Sequence, residues 1–285
     1  MRQIAVSEVT RAARLFSSLM RAVGLRFAIE LYGRRLLKIA APVSVTCGTH
    51  VLTVRPTDSD VPVLAQIFGD TQYDASSLQM QSLKRVADQW RAAGQIPLII
   101  DAGSNVGYSS LYFANAFPSA VIIAVEPDAQ CVELSRTNTV GCSRIEVVHA
   151  ALWKHNEGVQ LENPDVPSWA RRVSDSGPIP SVTLESLTSK IPGSRPFLLK
   201  LDIEGSEKTV CDASSQTINQ FPCILIEPHD WMIPGGGCLA PLFRAISDKE
   251  MDTLIVGENL MFFDSGFVRD WISLDPDSQS SGSVR

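Results

Sequence analysis

The sequence predicts an α/β fold: a mainly parallel sheet with helices on both faces and an antiparallel edge. Three observations carry this expectation. Seven short apolar runs, at 98–101, 121–126, 145–149, 197–202, 223–227, 253–256 and 260–263, are spread along the chain, and the first five alternate with helical patterns. Several of these runs are apolar throughout, as strands covered on both faces require. The first, Leu98-Ile-Ile-Asp101, passes through a turn bracketed by Gly103 and Gly107 into a helical face made by Leu111, Tyr112, Phe113 and Phe117. Open α/β sheets bind ligands at such strand–turn–helix joints, where a helix N-terminus favours negative charge.

Taken in order, residues 1–95 read as an N-terminal extension of helix and short strands. Leu15, Leu19, Val23, Phe27 and Leu31 recur at steps of four within a helix over 6–39, which Gly24 and Gly33 could divide. Residues 43–54 read as two strands around Gly48, 60–68 as a short helix with Pro62 in its first turn, and 83–93 as a helix stopped by Gly94. The main domain spans 96–275. Its helices fall at 109–117, 129–140, 206–215 and 241–246, with a short one ending at Lys190. Asn163-Pro164, Pro167 and Gly177-Pro178 mark 161–178 as an irregular excursion. The Ser/Gly-rich residues 276–285 read as a disordered tail.

A length of 285 residues and a hydrophobic fraction of 45% suit one large globular domain with additions. The formal net charge of -6 speaks against a nucleic-acid partner. The charge is uneven: residues 1–40 carry eight Lys or Arg against two Glu, so the remainder is strongly acidic. A basic helix of this kind either packs on the main domain or a second subunit, giving a homo-oligomer, or lies on an anionic membrane surface. Arg11, Arg14, Arg21 and Arg26 interrupt its apolar residues, which argues against a membrane span or a signal peptide. The six cysteines form no C-x-x-C pair and read as reduced thiols of a cytoplasmic protein.

Four constellations carry chemistry. Asp101 ends the first strand, and Gly103 and Gly107 give the spacing G-x-x-x-G rather than the G-x-G-x-x-G of a dinucleotide site. Glu126 ends the second strand about 20 residues beyond the loop, where a carboxylate can accept two hydrogen bonds from a ribose diol. The run Leu198-Leu-Lys-Leu-Asp-Ile-Glu-Gly-Ser-Glu207 ends a buried strand in three carboxylates, Asp202, Glu204 and Glu207, which are costly unless solvated, paired or metal-bound. Close beyond it in the fold, Ile226-Glu-Pro-His-Asp-Trp-Met closes the fifth strand. Histidine suits proton transfer near neutrality, so His229 is the first candidate general base and Asp202 the second. Asp202, Glu227 and Asp230 offer the alternative of a magnesium site, because hard oxygen ligands suit that ion; the reading without metal is preferred.

The strand–D-x-G-x-N-x-G–helix unit resembles the first motif of class I S-adenosylmethionine-dependent methyltransferases, and the resemblance then becomes specific. Leu-Lys-Leu-Asp-Ile-Glu-Gly-Ser-Glu is similar to the Lys-Ile-Asp-Val-Glu-Gly-Ala-Glu signature of the FkbM family of methyltransferases. Asp101-Ala-Gly-Ser-Asn-Val-Gly-Tyr-Ser-Ser matches that family's first motif, Ser181-Val-Thr-Leu-Glu-Ser-Leu resembles its Thr-Leu-Asp-Ser-Leu segment, and Asp58-Ser-Asp and Tyr73-Asp resemble its N-terminal region. The likeness runs from about residue 53 to 263. It implies a Rossmann-like seven-stranded sheet and S-adenosylmethionine as cofactor. Gly103, Asn105 and Gly107 would hold the methionine part, Glu126 the ribose, and Ala150 and Ala151 would lie where the adenine passes; Asp101, Ser104, Tyr108 and Pro127 would also belong to the cofactor site. It further implies methyl transfer to a hydroxyl of a sugar, glycan or secondary metabolite. Two other classes remain in view: a non-catalytic module docking through its N-terminal helix, and a nicotinamide oxidoreductase. The glycine spacing and the lack of a Tyr-x-x-x-Lys pair oppose the latter.

Overall fold

The computed structural model describes residues 2–73, 77–162, 172–231 and 233–274. In chain order the elements are α1 (Arg2–Leu36), β1 (Val43–Cys47), β2 (His50–Val54), α2 (Asp60–Leu64), which runs on into a π-turn (Ala65–Gly69), and α3 (Leu78–Ala92). There follow β3 (Ile96–Ala102), α4 (Tyr108–Ala116), β4 (Val121–Glu126), α5 (Ala129–Thr139), β5 (Ile145–His149), β6 (Ala151–Leu152), β7 (Val159–Glu162), β8 (Arg172–Asp175) and β9 (Ser181–Val182). The last are α6 (Leu184–Thr188), β10 (Ser194–Leu201), α7 (Glu207–Ala213), α8 (Ser215–Ile218), β11 (Cys223–Ile226), α9 (Ala240–Ala245), β12 (Met251–Val256), β13 (Asn259–Asp264) and α10 (Ser265–Leu274).

The central sheet has seven strands in the order β12-β13-β11-β10-β3-β4-β5. β11, β10, β3, β4 and β5 run parallel, while β13 pairs antiparallel with both β11 and β12. This is the seven-stranded, Rossmann-like α/β architecture that the sequence implies, with its antiparallel edge. From β3 the chain proceeds to β4 and β5 on one side and later to β10 and β11 on the other. The order therefore reverses at β3/β10, and a ligand crevice opens beyond the carboxyl ends of those two strands.

Both faces of the sheet are buried, as the unbroken apolar runs require. Ile99, Ile122, Leu198 and Leu225 point to one core, while Leu98, Ile100, Ile123, Leu199 and Leu201 point to the other, following the two-residue period of a strand. The first core also contains Leu19 and Leu31 of α1, Val45 and Leu52 of the β1–β2 hairpin, and Met80 and Leu83 of α3. The N-terminal 95 residues thus share one core with the sheet.

α1 packs on the domain with the stripe read from its sequence: Leu19, Val23 and Leu31 are buried, with Leu15 and Phe27 packed beside them. It is kinked at Gly24 (φ 78, ψ 166) and continuous through Gly33. Backbone of α1 meets the π-turn directly, because a Cβ on Gly69 would lie 2.1 Å from the Ser18 carbonyl oxygen. Arg21 donates to the Gly69 carbonyl at 2.8 Å, and both Arg21 and Ser18 hold Asp70. Leu25, Ile29, Leu36 and Leu37 remain exposed.

Three elements differ from expectation. α3 begins at Leu78, five residues early, because Ser77 caps it by accepting from the Met80 N–H. Part of the 161–178 excursion is an antiparallel hairpin, β7–β8; the remainder, with Trp169, lies outside the described residues. α10, unassigned from the sequence, has Val268 buried in the first core and Phe267 packed beside it. The expected tail at 276–285 also lies outside the described residues. All six cysteines are free, and among the described residues no helix is long and apolar enough to cross a membrane.

Candidate functional site

A cavity of about 760 Å³ opens at the switch point. Gly103, Ser104, Asn105, Tyr108 and Glu126 line one side; Lys200, Asp202, Glu204, Glu227 and His229 line the other. Arg11 and Arg35 of α1, Asp58, Ser59 and Tyr73 lie across it, so the N-terminal segment forms its third wall.

The glycine loop is built against β10. A Cβ on Gly103 (φ +75) would lie 1.7 Å from the Asp202 carbonyl oxygen, so only glycine lets the two strand ends meet. Gly103 and Ser104 both donate their N–H to the Val125 carbonyl, at 3.0 and 3.1 Å. Asn105 takes a positive φ of 48° and donates its N–H to Glu126 Oε2 at 3.0 Å. Glu126 Oε1 accepts from the Asp128 N–H at 2.8 Å. Burial pushes the Glu126 carboxyl up to about 7 despite these two donors.

Asp101 stands behind the loop rather than on the cavity wall. It is fully buried; Ser109 and Ser110 donate to its Oδ2 at 2.6 and 2.5 Å, pinning the first turn of α4 to β3. The register Lys200↔Asp101 brings the Lys200 ammonium within 3.3 Å of Asp101 Oδ1. Lys200 also donates to the Gly103 carbonyl at 3.0 Å and lies 3.4 Å from Asp202 Oδ2. Burial alone would lower its pKa, but Asp101 and Asp202 hold it well above the usual lysine value.

Several further expected site residues lie off the cavity lining. Gly107 adopts a left-handed conformation at the α4 N-terminus and serves packing: a Cβ there would lie 2.7 Å from Ser135 Oγ on α5. Pro127, Ala150 and Ala151 are not on the wall. The Pro127 carbonyl is engaged by His149 Nε2, while Ala150 and Ala151 donate their N–H groups to the Glu126 and Pro180 carbonyls. Asp230 turns away from the cavity and accepts the Cys238 N–H at 2.8 Å. The Gly235-Gly-Gly237 loop lies outside the cavity lining, and Lys208 Nζ donates to its Gly236 carbonyl at 2.8 Å.

His229 is 1% exposed, with Nδ1 2.8 Å from Glu207 Oε1, which also accepts the Ile203 N–H. Its Nε2 lies 3.3 Å from Glu204 Oε2, 3.8 Å from Glu227 Oε1 and 4.0 Å from Asp202 Oδ1. Burial opposes its charge, but Glu207, Glu204 and Asp202 outweigh that and raise its pKa to about 9. Carboxylates on several sides favour the protonated imidazole, which weakens the general-base role expected of His229. Burial and neighbouring carboxylates raise Glu204 to about 8 and Glu227 to about 7. Asp202, Glu227 and His229 present one ligating atom each within 4.8 Å of one another, so His229 stands where Asp230 was expected as a metal ligand.

Lys200 was not singled out from the sequence, and Glu204, Glu207 and Tyr73 were noted there without a role in the site. One signal was present: Lys200 is a lone charge inside an apolar run. The other histidines are accounted for by local bonds, His50 to Asn115 and His155 to Asp175. Trp153 is buried and donates to Asp175, whereas Trp231 is 70% exposed at the cavity wall.

The donor side fits a polar cofactor. Ser104 Oγ and Asn105 Oδ1 are buried without a hydrogen-bond partner among the described residues, and both belong to the lining.

Solved structures similar to the chain include methyltransferases, at low identity. A putative caffeoyl-CoA O-methyltransferase from Staphylococcus aureus has 6% identity and a TM-score of 0.37, covering 64% of this chain and 81% of that one. The METTL16 methyltransferase domain has 11% identity and a TM-score of 0.44, covering 84% and 78%. The Podospora anserina methyltransferase PaMTH1, solved with S-adenosylhomocysteine bound, has 14% identity and a TM-score of 0.34, covering 65% and 77%. No curated protein matches the chain. The methyltransferase FkbM domain matches residues 101–273, from the buried Asp101 through both halves of the cavity wall to α10. That match covers more than half of the sequence, and the chain belongs to the FkbM family of S-adenosylmethionine-dependent methyltransferases.

Proposed function

We propose that the protein transfers a methyl group from S-adenosylmethionine to a hydroxyl of a sugar, glycan or secondary metabolite. The observation that carries this reading is a single cavity with two chemically different sides. On the loop side, Gly103, Ser104 and Asn105 would hold the methionine part of the cofactor, and Glu126 the ribose hydroxyls. The bound cofactor supplies an electrophilic methyl on a sulfonium sulfur. Across the cavity, Asp202 stands between loop and acidic cluster, where an acceptor hydroxyl would meet that methyl in line. The S–CH3 bond breaks as the O–CH3 bond forms, and the hydroxyl proton passes to the Asp202 carboxylate at this wall.

Isothermal titration with S-adenosylmethionine tests the donor side, and heat of dilution alone would sink the reading. Incubation with methyl-labelled cofactor and fractionated extract tests the acceptor. Label recovered as a methyl ether supports hydroxyl transfer, whereas label on nitrogen refutes it.

We further propose peripheral contact of α1 with an anionic membrane. Leu25, Ile29 and Leu36 form an exposed stripe beside Arg26 and Lys38, and opposed copies of this basic face would repel each other. Co-sedimentation with phosphatidylserine vesicles, abolished by L25S/I29S, is the expected result. Equal sedimentation of wild type and variant would reject it.

A further inference from the structure

We propose that Arg35, in the last turn of α1, binds the carboxylate of the cofactor's methionine part, so that the N-terminal extension completes the donor side. The proposal rests on the methyl-transfer reading of this cavity. It adds a residue that lies outside the segment matching the FkbM domain.

The chemistry of the glycine loop is the first observation. A methionine end carries an ammonium and a carboxylate on one carbon, so two opposite charges must be met side by side. Ser104 Oγ and Asn105 Oδ1, buried without partners among the described residues, present oxygen that suits the ammonium. An amide oxygen cannot donate, so Asn105 Oδ1 does not suit the carboxylate. That group calls for a charged donor close to the loop.

The state of the basic groups is the second. Among the described residues, the cavity is lined by Arg11, Arg35, Lys200 and His229. Lys200 is engaged by Asp101 and Asp202, and His229 by Glu207 and Glu204. Arg11 is exposed and has no bond that fixes it among the described residues. Arg35 is half-buried and fixed: its Nη1 donates to the Pro56 and Asp58 carbonyls at 3.2 and 2.8 Å. Those two bonds orient the guanidinium without neutralising it. The Asp58 carboxylate is engaged elsewhere, by Arg55 Nη1 at 3.2 Å and by the Ser59 N–H.

Position is the third. Ser59 follows Asp58 directly, and its Oγ lies 3.5 Å from Asn105 Nδ2. The segment that anchors Arg35 therefore meets the glycine loop at the residue whose Oδ1 stays free. Nε and Nη2 of Arg35 make no bond among the described residues, and this edge of a guanidinium matches a carboxylate with two parallel N–H groups.

The test titrates full-length protein by calorimetry with S-adenosylmethionine and with its decarboxylated analogue, which lacks only the carboxylate. Wild type should bind the cofactor at least tenfold more tightly than the analogue. R35M, which keeps the length and loses the charge, should weaken cofactor binding about 10–100-fold and leave the affinity for the analogue unchanged. R35K, which keeps the charge and loses the fork, should weaken it less. Equal loss toward both ligands would make Arg35 a brace of the 56–58 segment and overturn the proposal, as would R35M that binds the cofactor like wild type. Should R35M fail to fold, wild type and R35K decide: wild type that binds the two ligands equally, or R35K that loses both equally, overturns it. Wild type that binds neither ligand overturns the methyl-transfer reading instead.

Discussion

Lys200 shows how one side chain can hold two halves of a site together. Its ammonium lies between Asp101 and Asp202 and also grips the glycine-loop carbonyl of Gly103. Removing one member of a buried pair strands the other charge. K200M should therefore destabilise the fold by about 3–5 kcal/mol in a denaturant titration, and adding D101N should restore part of that loss. An additive double variant would show that the two do not communicate. Glu126 gives a pH test. Its carboxyl is raised to about 7 in the folded protein, above the ordinary value near 4.5. The folded state therefore binds more protons than the unfolded one between those values, so this group's contribution to stability falls as pH rises from 4.5 through 7. Ribose hydroxyls should prefer the ionised form. Cofactor affinity should thus drop by about tenfold from pH 8 to pH 6, and the E126Q variant should lose that dependence.

At the scale of elements, α1 shows why spacing alone did not settle its shape. The four-residue stripe predicted which side is buried, and Leu19, Val23 and Leu31 are buried there. The kink falls at Gly24, at φ 78 and ψ 166, a conformation open in practice only to glycine. G24A has room for its methyl group, so its cost should be purely conformational, about 1–3 kcal/mol by chemical denaturation. A loss near zero would mean that the kink straightens freely. The β3–α4 joint is the complementary case, because there glycine serves proximity as well. Gly103 admits the Asp202 carbonyl, and Gly107 admits Ser135 of α5.

Across the whole molecule, the N-terminal segment and the sheet share one core, and α1 reaches over the cavity with Arg11 and Arg35. Cofactor binding should consequently stabilise the entire chain in one transition. At a concentration 100 times its dissociation constant, S-adenosylmethionine should add about 2.7 kcal/mol, seen as a raised midpoint of thermal unfolding. A first transition insensitive to the cofactor would indicate that 1–95 melts separately.

The sequence by itself determined the fold class, the seven strands and the family, because these depend on local signals. Apolar runs of fixed period, Gly103 at the Asp101 turn and the Lys200–Glu207 signature are all readable within a few residues. It also placed Glu126, Asp202, Glu227 and His229 at one edge, since parallel strands of similar length end together. Only the tertiary structure decided what those groups face. Asp101 was read as a cofactor ligand but is taken by Ser109, Ser110 and Lys200, brought together by β3–β10 register and the first turn of α4. His229 was read as a base but is encircled by acids from both strand ends, and Asp230, one residue on, points elsewhere. Charge and orientation at a buried site are set by neighbours distant in the chain, and those neighbours exist as such only once the sheet has formed.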